Sequence, residues 1–196
     1  MKKFLSLRMV ICLIVLLILC SACGNKTTIN TYIKYENLPN NYTLESAKAD
    51  GCVVFENHQL TSGEEKWQEF IERTEAGKAA MVRLAYLYLP DFKKTSIDYH
   101  DEIIDMLPLY IADLNFDGNT YVFTYTEDVQ TYEYEYPYLV RFTGSPSSRT
   151  AIYSQYDRYF LVHDKDITFE EIERSWYSSQ SGDSRDYVSV YVNLIN

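Results

Sequence analysis

The stretch LYIADLNFDGNTYVFTYTE, residues 109–127, decides the fold class. Two runs of alternating apolar and polar residues flank Asp117-Gly118, and period-two alternation is the mark of a half-buried strand. Asp-Gly suits the positive φ angles of a tight turn, so the stretch reads as a β-hairpin. A third alternating run, TYEYEYPYLVRFTG, follows at 131–144. AIYSQYDRYFLV at 151–162 and YVSVYVNLI at 187–195 continue the strand-rich half.

Upstream, CVVFE at 52–56 reads as a strand, and AAMVRLAYLYL at 79–89 is apolar enough for the centre of a sheet. Helical spacing appears in two main places. Trp67, Phe70 and Ile71 form one stripe in GEEKWQEFIERTEAGK, with Ser62 and Glu65 spaced as a capping box and Gly77 as the stop. Phe169, Ile172 and Trp176 form a second stripe behind Thr168 and Glu171, another capping box. A shorter helix is bracketed by Thr43 and Gly51. DEIIDML, at 101–107, reads as a helical turn, and SGDSRD, at 181–186, as a loop. The expected fold is α+β, a largely antiparallel sheet with two main helices packed on one face.

The chain has 196 residues, and its 18 Lys and Arg against 28 Asp and Glu give a net charge of −10. Phosphate neutralisation needs a basic stripe, which this sequence lacks, so nucleic acid is excluded as a partner. Tyrosine is abundant, with 19 copies, and falls mostly in the expected strands.

The amino terminus carries an address. Lys2, Lys3 and Arg8 precede an apolar run of 12 residues, Met9 to Cys20. As a helix at ~1.5 Å per residue this run spans about 18 Å, short of a hydrocarbon core of ~30 Å. It reads as a signal-peptide core rather than a permanent span. CSAC at 20–23 resembles a bacterial lipobox, in which a small residue precedes a cysteine that is lipidated and becomes the first residue; Cys20 stands where leucine is usual. That resemblance makes residues 1–22 a cleaved leader; the polar, Asn-rich stretch that follows reads as a lipidated start and flexible tether over 23–41, with 42–196 as one domain. The resemblance makes Cys23 the lipidation site and places the domain on the extracytoplasmic face of the cell membrane. Two acyl chains anchor stably where one does not. With the leader removed, 15 basic residues face 28 acidic ones, a charge of −13 that anionic lipid headgroups repel. Only Cys52 then remains as a thiol, and it reads as a buried small apolar residue.

Three stretches carry a further likeness: YTLESAKADGCVVFENHQL at 42–60, EKWQEFIERTEAGKAAMVRLAYLY at 65–88 and IADLNFDGNTYVFTYTED at 111–128. Together they resemble small Gram-positive bacterial lipoproteins that share a domain of unknown function. The likeness covers about residues 42–128, with an apparent insertion between 90 and 108. It implies a cell-surface lipoprotein and brings no catalytic residue.

Two constellations invite a ligand. Asp113, Asn115, Asp117 and Gly118 match the first half of a calcium loop, whose oxygens alternate before a sharp glycine turn. Thr124 stands where the bidentate Glu is required, so the hairpin reading is preferred. Tyr132, Tyr134, Tyr136 and Tyr138 share one side of an extended strand, with Glu133 and Glu135 on the other. Exposed, such a row stacks on sugar rings or grips a peptide; buried, it covers the sheet. The three histidines show no metal-ligand spacing, and HExxH, GxSxG and SxxK are absent.

The leading expectation is a membrane-anchored, non-enzymatic interaction module without a cofactor, contacting a protein, a peptide or a cell-wall polymer. Two alternatives stay open: an extracytoplasmic hydrolase using carboxylates in a cleft, and a calcium-dependent binding module.

Overall fold

AMVRLAYL, rich in apolar residues, is an interior strand of the larger sheet, flanked on both sides by other strands. The computed structural model describes residues 32–34, 37–39, 41–89, 107–127, 130–148, 150–176 and 187–196. In chain order these form α1 (Leu44–Ala49), β1 (Val53–Glu56), β2 (Gln59–Ser62), α2 (Glu64–Glu75), β3 (Ala80–Leu87) and β4 (Tyr110–Phe116). Then come β5 (Tyr121–Glu127), β6 (Gln130–Tyr136), β7 (Tyr138–Gly144), β8 (Gln155–Val162), α3 (Phe169–Trp176) and β9 (Tyr187–Ile195). The leader, Cys23, the DEIIDML turn up to Met106 and the loop at 181–186 lie outside the described residues.

The architecture is α+β and mostly antiparallel. One sheet has six strands in the order β2-β1-β3-β4-β5-β6, and a second has three in the order β7-β8-β9. Among the described strands β1 and β3 are the one parallel pair, and parallel neighbours need a crossover, here supplied by β2 and α2. The run TYEYEYPYLVRFTG divides at Pro137, with β6 ending in one sheet and β7 beginning the other. Proline has no N–H for a ladder, so the change of sheet falls where pairing is already interrupted.

Both sheets contribute to one core. Val53 and Phe55 of β1, Val82 and Leu84 of β3, and Leu114 of β4 meet Tyr159 and Leu161 of β8 and Tyr191 of β9. α2 supplies Trp67 and Phe70 to the same core. The Trp67 ring stacks on Tyr191 at 4.7 Å and meets the edge of Tyr159 at 5.0 Å. Alternation along β8 sends Phe160 and Val162 to its opposite face, where Ile172 and Phe169 of α3 pack. The two main helices therefore cover opposite faces of β8.

Local chemistry explains most element ends. Thr43 Oγ1 accepts the Ser46 N–H at 3.2 Å and starts α1. The Thr168 N–H donates to Glu171 Oε2 at 2.8 Å while the Glu171 N–H returns to Thr168 Oγ1 at 3.3 Å, a complete capping box. Gly77, at φ 65°, closes α2 as the Lys78 N–H reaches back to the Arg73 carbonyl at 2.9 Å. The expected Ser62–Glu65 box does not form: Gly63 is the N-cap, in the left-handed region at φ 80°, with no side-chain cap.

A second, smaller core lies on the far side of β1 and β3, formed by Ala47, Cys52, Val54, Ala85 and Ile111. Tyr32 and Leu38, assigned to the tether by the sequence reading, pack against it. Among the described residues, no helix is long and apolar enough to cross a membrane.

Candidate functional site

The hairpin that suggested calcium is a β-hairpin, and its carboxylates are committed elsewhere. Asp113 and Asn115 lie within β4, and Asp117 starts the turn to β5. Both Asp113 oxygens accept from Arg83, at 2.6 Å from Nε and 2.8 Å from Nη2. Asp117 Oδ1 accepts the backbone N–H groups of Asn119 and Thr120 at 2.8 and 2.9 Å. The N–H groups of Thr120 and Asn119 hold that carboxyl below the usual carboxylate range. Among the described residues, no three His, Cys, Asp or Glu side chains gather as a metal site.

The tyrosine row is not one exposed face. Tyr132 and Tyr134 are half-buried and stack on Tyr125, at 5.2 and 6.2 Å. Tyr136 is 1% exposed and joins the main core, while Tyr138 starts β7 with 40% of its surface exposed. Cys52 is fully buried, and burial pushes its thiol up to about 11, away from nucleophilic use.

A different constellation forms where the β1–β2 turn meets β3, β8, β9 and the end of α3. The two turn residues, Asn57 (φ 51°) and His58 (φ 65°), are both left-handed. A two-residue hairpin turn requires that geometry, and glycine usually supplies the second position. Neighbouring strands hold the turn in place. Asn57 Oδ1 accepts the Leu89 N–H at 2.7 Å, and the His58 carbonyl accepts the Leu194 N–H at 2.9 Å. The His58 ring rests 5.1 Å from Tyr88.

These elements line an open-sided cavity of about 350 Å³. Phe55 and Tyr86, stacked at 5.3 Å, line it, together with Tyr88 and His58. Arg158 of β8 and Trp176 of α3 also line it, and β9 adds Ser189. A bulge in β9 shapes this region: Tyr159 pairs with Tyr191 and Phe160 with Ser189, leaving Val190 as the extra residue. The Tyr86 hydroxyl donates to the Val190 carbonyl at 2.6 Å. Burial raises the Tyr86 phenol well above its ordinary range, so it stays protonated as a donor. Tyr86→Phe should cost about 1–3 kcal/mol in urea melts by stranding that buried carbonyl. An unchanged midpoint would show that the hydroxyl does not secure the bulge.

Arg158 is the unusual member. Its guanidinium carbon lies 5.3 Å from the Trp176 ring centre and 5.6 Å from those of Tyr156 and Phe169. Aromatic faces thus surround the cation, which attracts it to their π-electrons. Its Nε is buried without a hydrogen-bond partner. The other described arginines behave differently. Arg83, Arg141 and Arg174 form ion pairs, and Arg73 binds the Ala79 carbonyl. Burial first, and then the nearby Arg158 charge, lower the His58 pKa, which keeps the imidazole neutral at pH 7. The cavity therefore combines a cation, aromatic walls and a neutral imidazole, a set suited to holding an anionic group on an apolar body.

None of these lining residues reads as a site residue in the sequence, where Trp176 figures only in a helix stripe. Two signals were available: a lone arginine between Tyr156 and Phe160 on one face of a strand, and the polar pair Asn57-His58 between short apolar runs. Comparison with protein-family models, curated proteins and solved structures finds no match for this chain, so its function must be argued from its own residues.

Proposed function

We propose that this protein is a lipid-anchored extracytoplasmic binding module, attached through Cys23, that holds its ligand in the Arg158 cavity. The observation that carries this reading is a half-buried arginine at the wall of a cavity, its cation packed among aromatic rings and its Nε buried without a hydrogen-bond partner. The anchor reading rests on the leader, the small residues before Cys23 and a mature charge of −13 that disfavours direct contact with anionic headgroups. A protein, a peptide or a cell-wall polymer is the partner class.

Two measurements in intact cells test the reading. A clickable fatty acid should label the wild-type protein and not the Cys23→Ser variant. A photo-cross-linking residue at position 176 should give a discrete adduct, while the same residue at position 152, a site 90% exposed outside the cavity, should not. Equal patterns at the two positions would sink the cavity as the binding site.

A further inference from the structure

We propose that the Arg158 cavity recognises a carboxylate carried on a flat apolar body, with the guanidinium as its anchor. This rests on the reading of the cavity as the binding site and adds the chemistry of what enters it. A guanidinium offers its donors along its edge, in a fork that matches the two oxygens of a carboxylate. In Arg158 the aromatic rings of Tyr156, Phe169 and Trp176 pack around the cation, and Nε lacks a partner.

Charge sets the ligand's valence. Among the described residues that line the cavity, Arg158 is the only Lys or Arg, and the chain as a whole carries −10. A doubly charged phosphate would bring more negative charge than one guanidinium cancels, in an already negative field. A single carboxylate is matched. Size and surface set the body. A cavity of about 350 Å³ accommodates one ring with a short chain, and small-ligand sites begin near ~300 Å³. Tyr88 and Trp176 remain 45% and 44% exposed, leaving ring surface to cover an aromatic or branched apolar group. Such a carboxylate is found on a free aromatic acid or at the end of a peptide with an aromatic last residue.

The test uses the full-length protein in detergent micelles and the emission of its two tryptophans, of which Trp67 is buried in the core and Trp176 lines the cavity. One pair of probes is 3-phenylpropionate and its amide; the other is N-acetyl-Gly-Gly-Phe with a free or an amidated carboxyl end. Each acid should change the Trp176 emission saturably and bind at least about tenfold more tightly than its amide, equivalent to ~1.4 kcal/mol. Arg158→Met should reduce the acid to the level of the amide. The stronger of the two acids identifies the source. The wild-type comparison of acid with amide requires no variant to fold. If acid and amide bind alike, the carboxylate assignment is overturned while the cavity remains a binding site. If no probe moves the Trp176 signal, both the assignment and the underlying reading fall.

Discussion

Asp113→Ala should lower the stability of the folded domain by about 3–5 kcal/mol, because it strands a buried cation. Arg83 is 1% exposed and sits on β3 directly opposite Asp113 on β4. Two hydrogen bonds of 2.6 and 2.8 Å join the guanidinium to the carboxylate, and a third, at 2.7 Å, runs from Nη1 to the Ile33 carbonyl. Burial alone would lower the Arg83 pKa, but the paired carboxylate outweighs it and holds the charge. With Asp113 gone, the guanidinium keeps, among the described residues, a neutral carbonyl and the Tyr32 ring, 5.0 Å away. For a domain of this size the melting temperature should fall by roughly 6–20 °C. The double variant Arg83→Met/Asp113→Leu should recover most of the loss, since apolar replacement removes the desolvation penalty together with the pair. A loss below ~1 kcal/mol in Asp113→Ala would show that the pair is solvated and contributes like a surface bridge. The double variant should also release residues 32–33 from the sheet, read as faster proteolysis upstream of Tyr42.

Gly63→Ala should destabilise by about 3 kcal/mol or more, and far more than Gly77→Ala. Both glycines have left-handed φ angles, +80° and +65°, so both substitutions carry a backbone strain of about 1–2 kcal/mol. They differ in surroundings. A Cβ at Gly63 would overlap the Cys52 carbonyl oxygen and lie 2.8 Å from the Val53 Cα, whereas at Gly77 nothing lies within 4 Å. Cys52 and Val53 lead into β1, which is hydrogen-bonded between β2 and β3, so relief requires a sheet strand to move. Urea melts of the two variants, side by side, separate strain from overlap. Equal losses would mean that α2 can shift away from β1.

The same glycine shows where local reading ends. Ser62–Glu65 and Thr168–Glu171 have the same spacing and residue types, yet only the second forms a capping box. The difference is the close approach of β1 to the start of α2. That approach depends on how a distant strand packs, and no window around Ser62 contains it. Pro137 is a similar case: its missing N–H was legible, but the passage of the chain into a second sheet was not.

The candidate site was even less legible. Its lining residues run from Phe55 to Leu194 along the chain, and its two distinguishing features are relational. Arg158 matters because nothing hydrogen-bonds its Nε, and His58 because a turn holds it beside that charge. In the sequence Asp113 and Asp117 look available for a metal, whereas in the fold Arg83 takes up both Asp113 oxygens and the turn N–H groups take up Asp117 Oδ1.

The sequence by itself determined the hairpin at 109–127, the helix stripes and most helix ends, because alternation, capping and glycine stops act within a few residues through backbone sterics and short hydrogen bonds. Packing alone sets α2 and α3 on opposite faces of β8, pairs Arg83 with Asp113, and leaves Arg158 Nε buried without a hydrogen-bond partner. A buried charge is satisfied by whatever the sheet order and the packed helices bring beside it, and neighbours far apart in the chain become neighbours in space only through that packing.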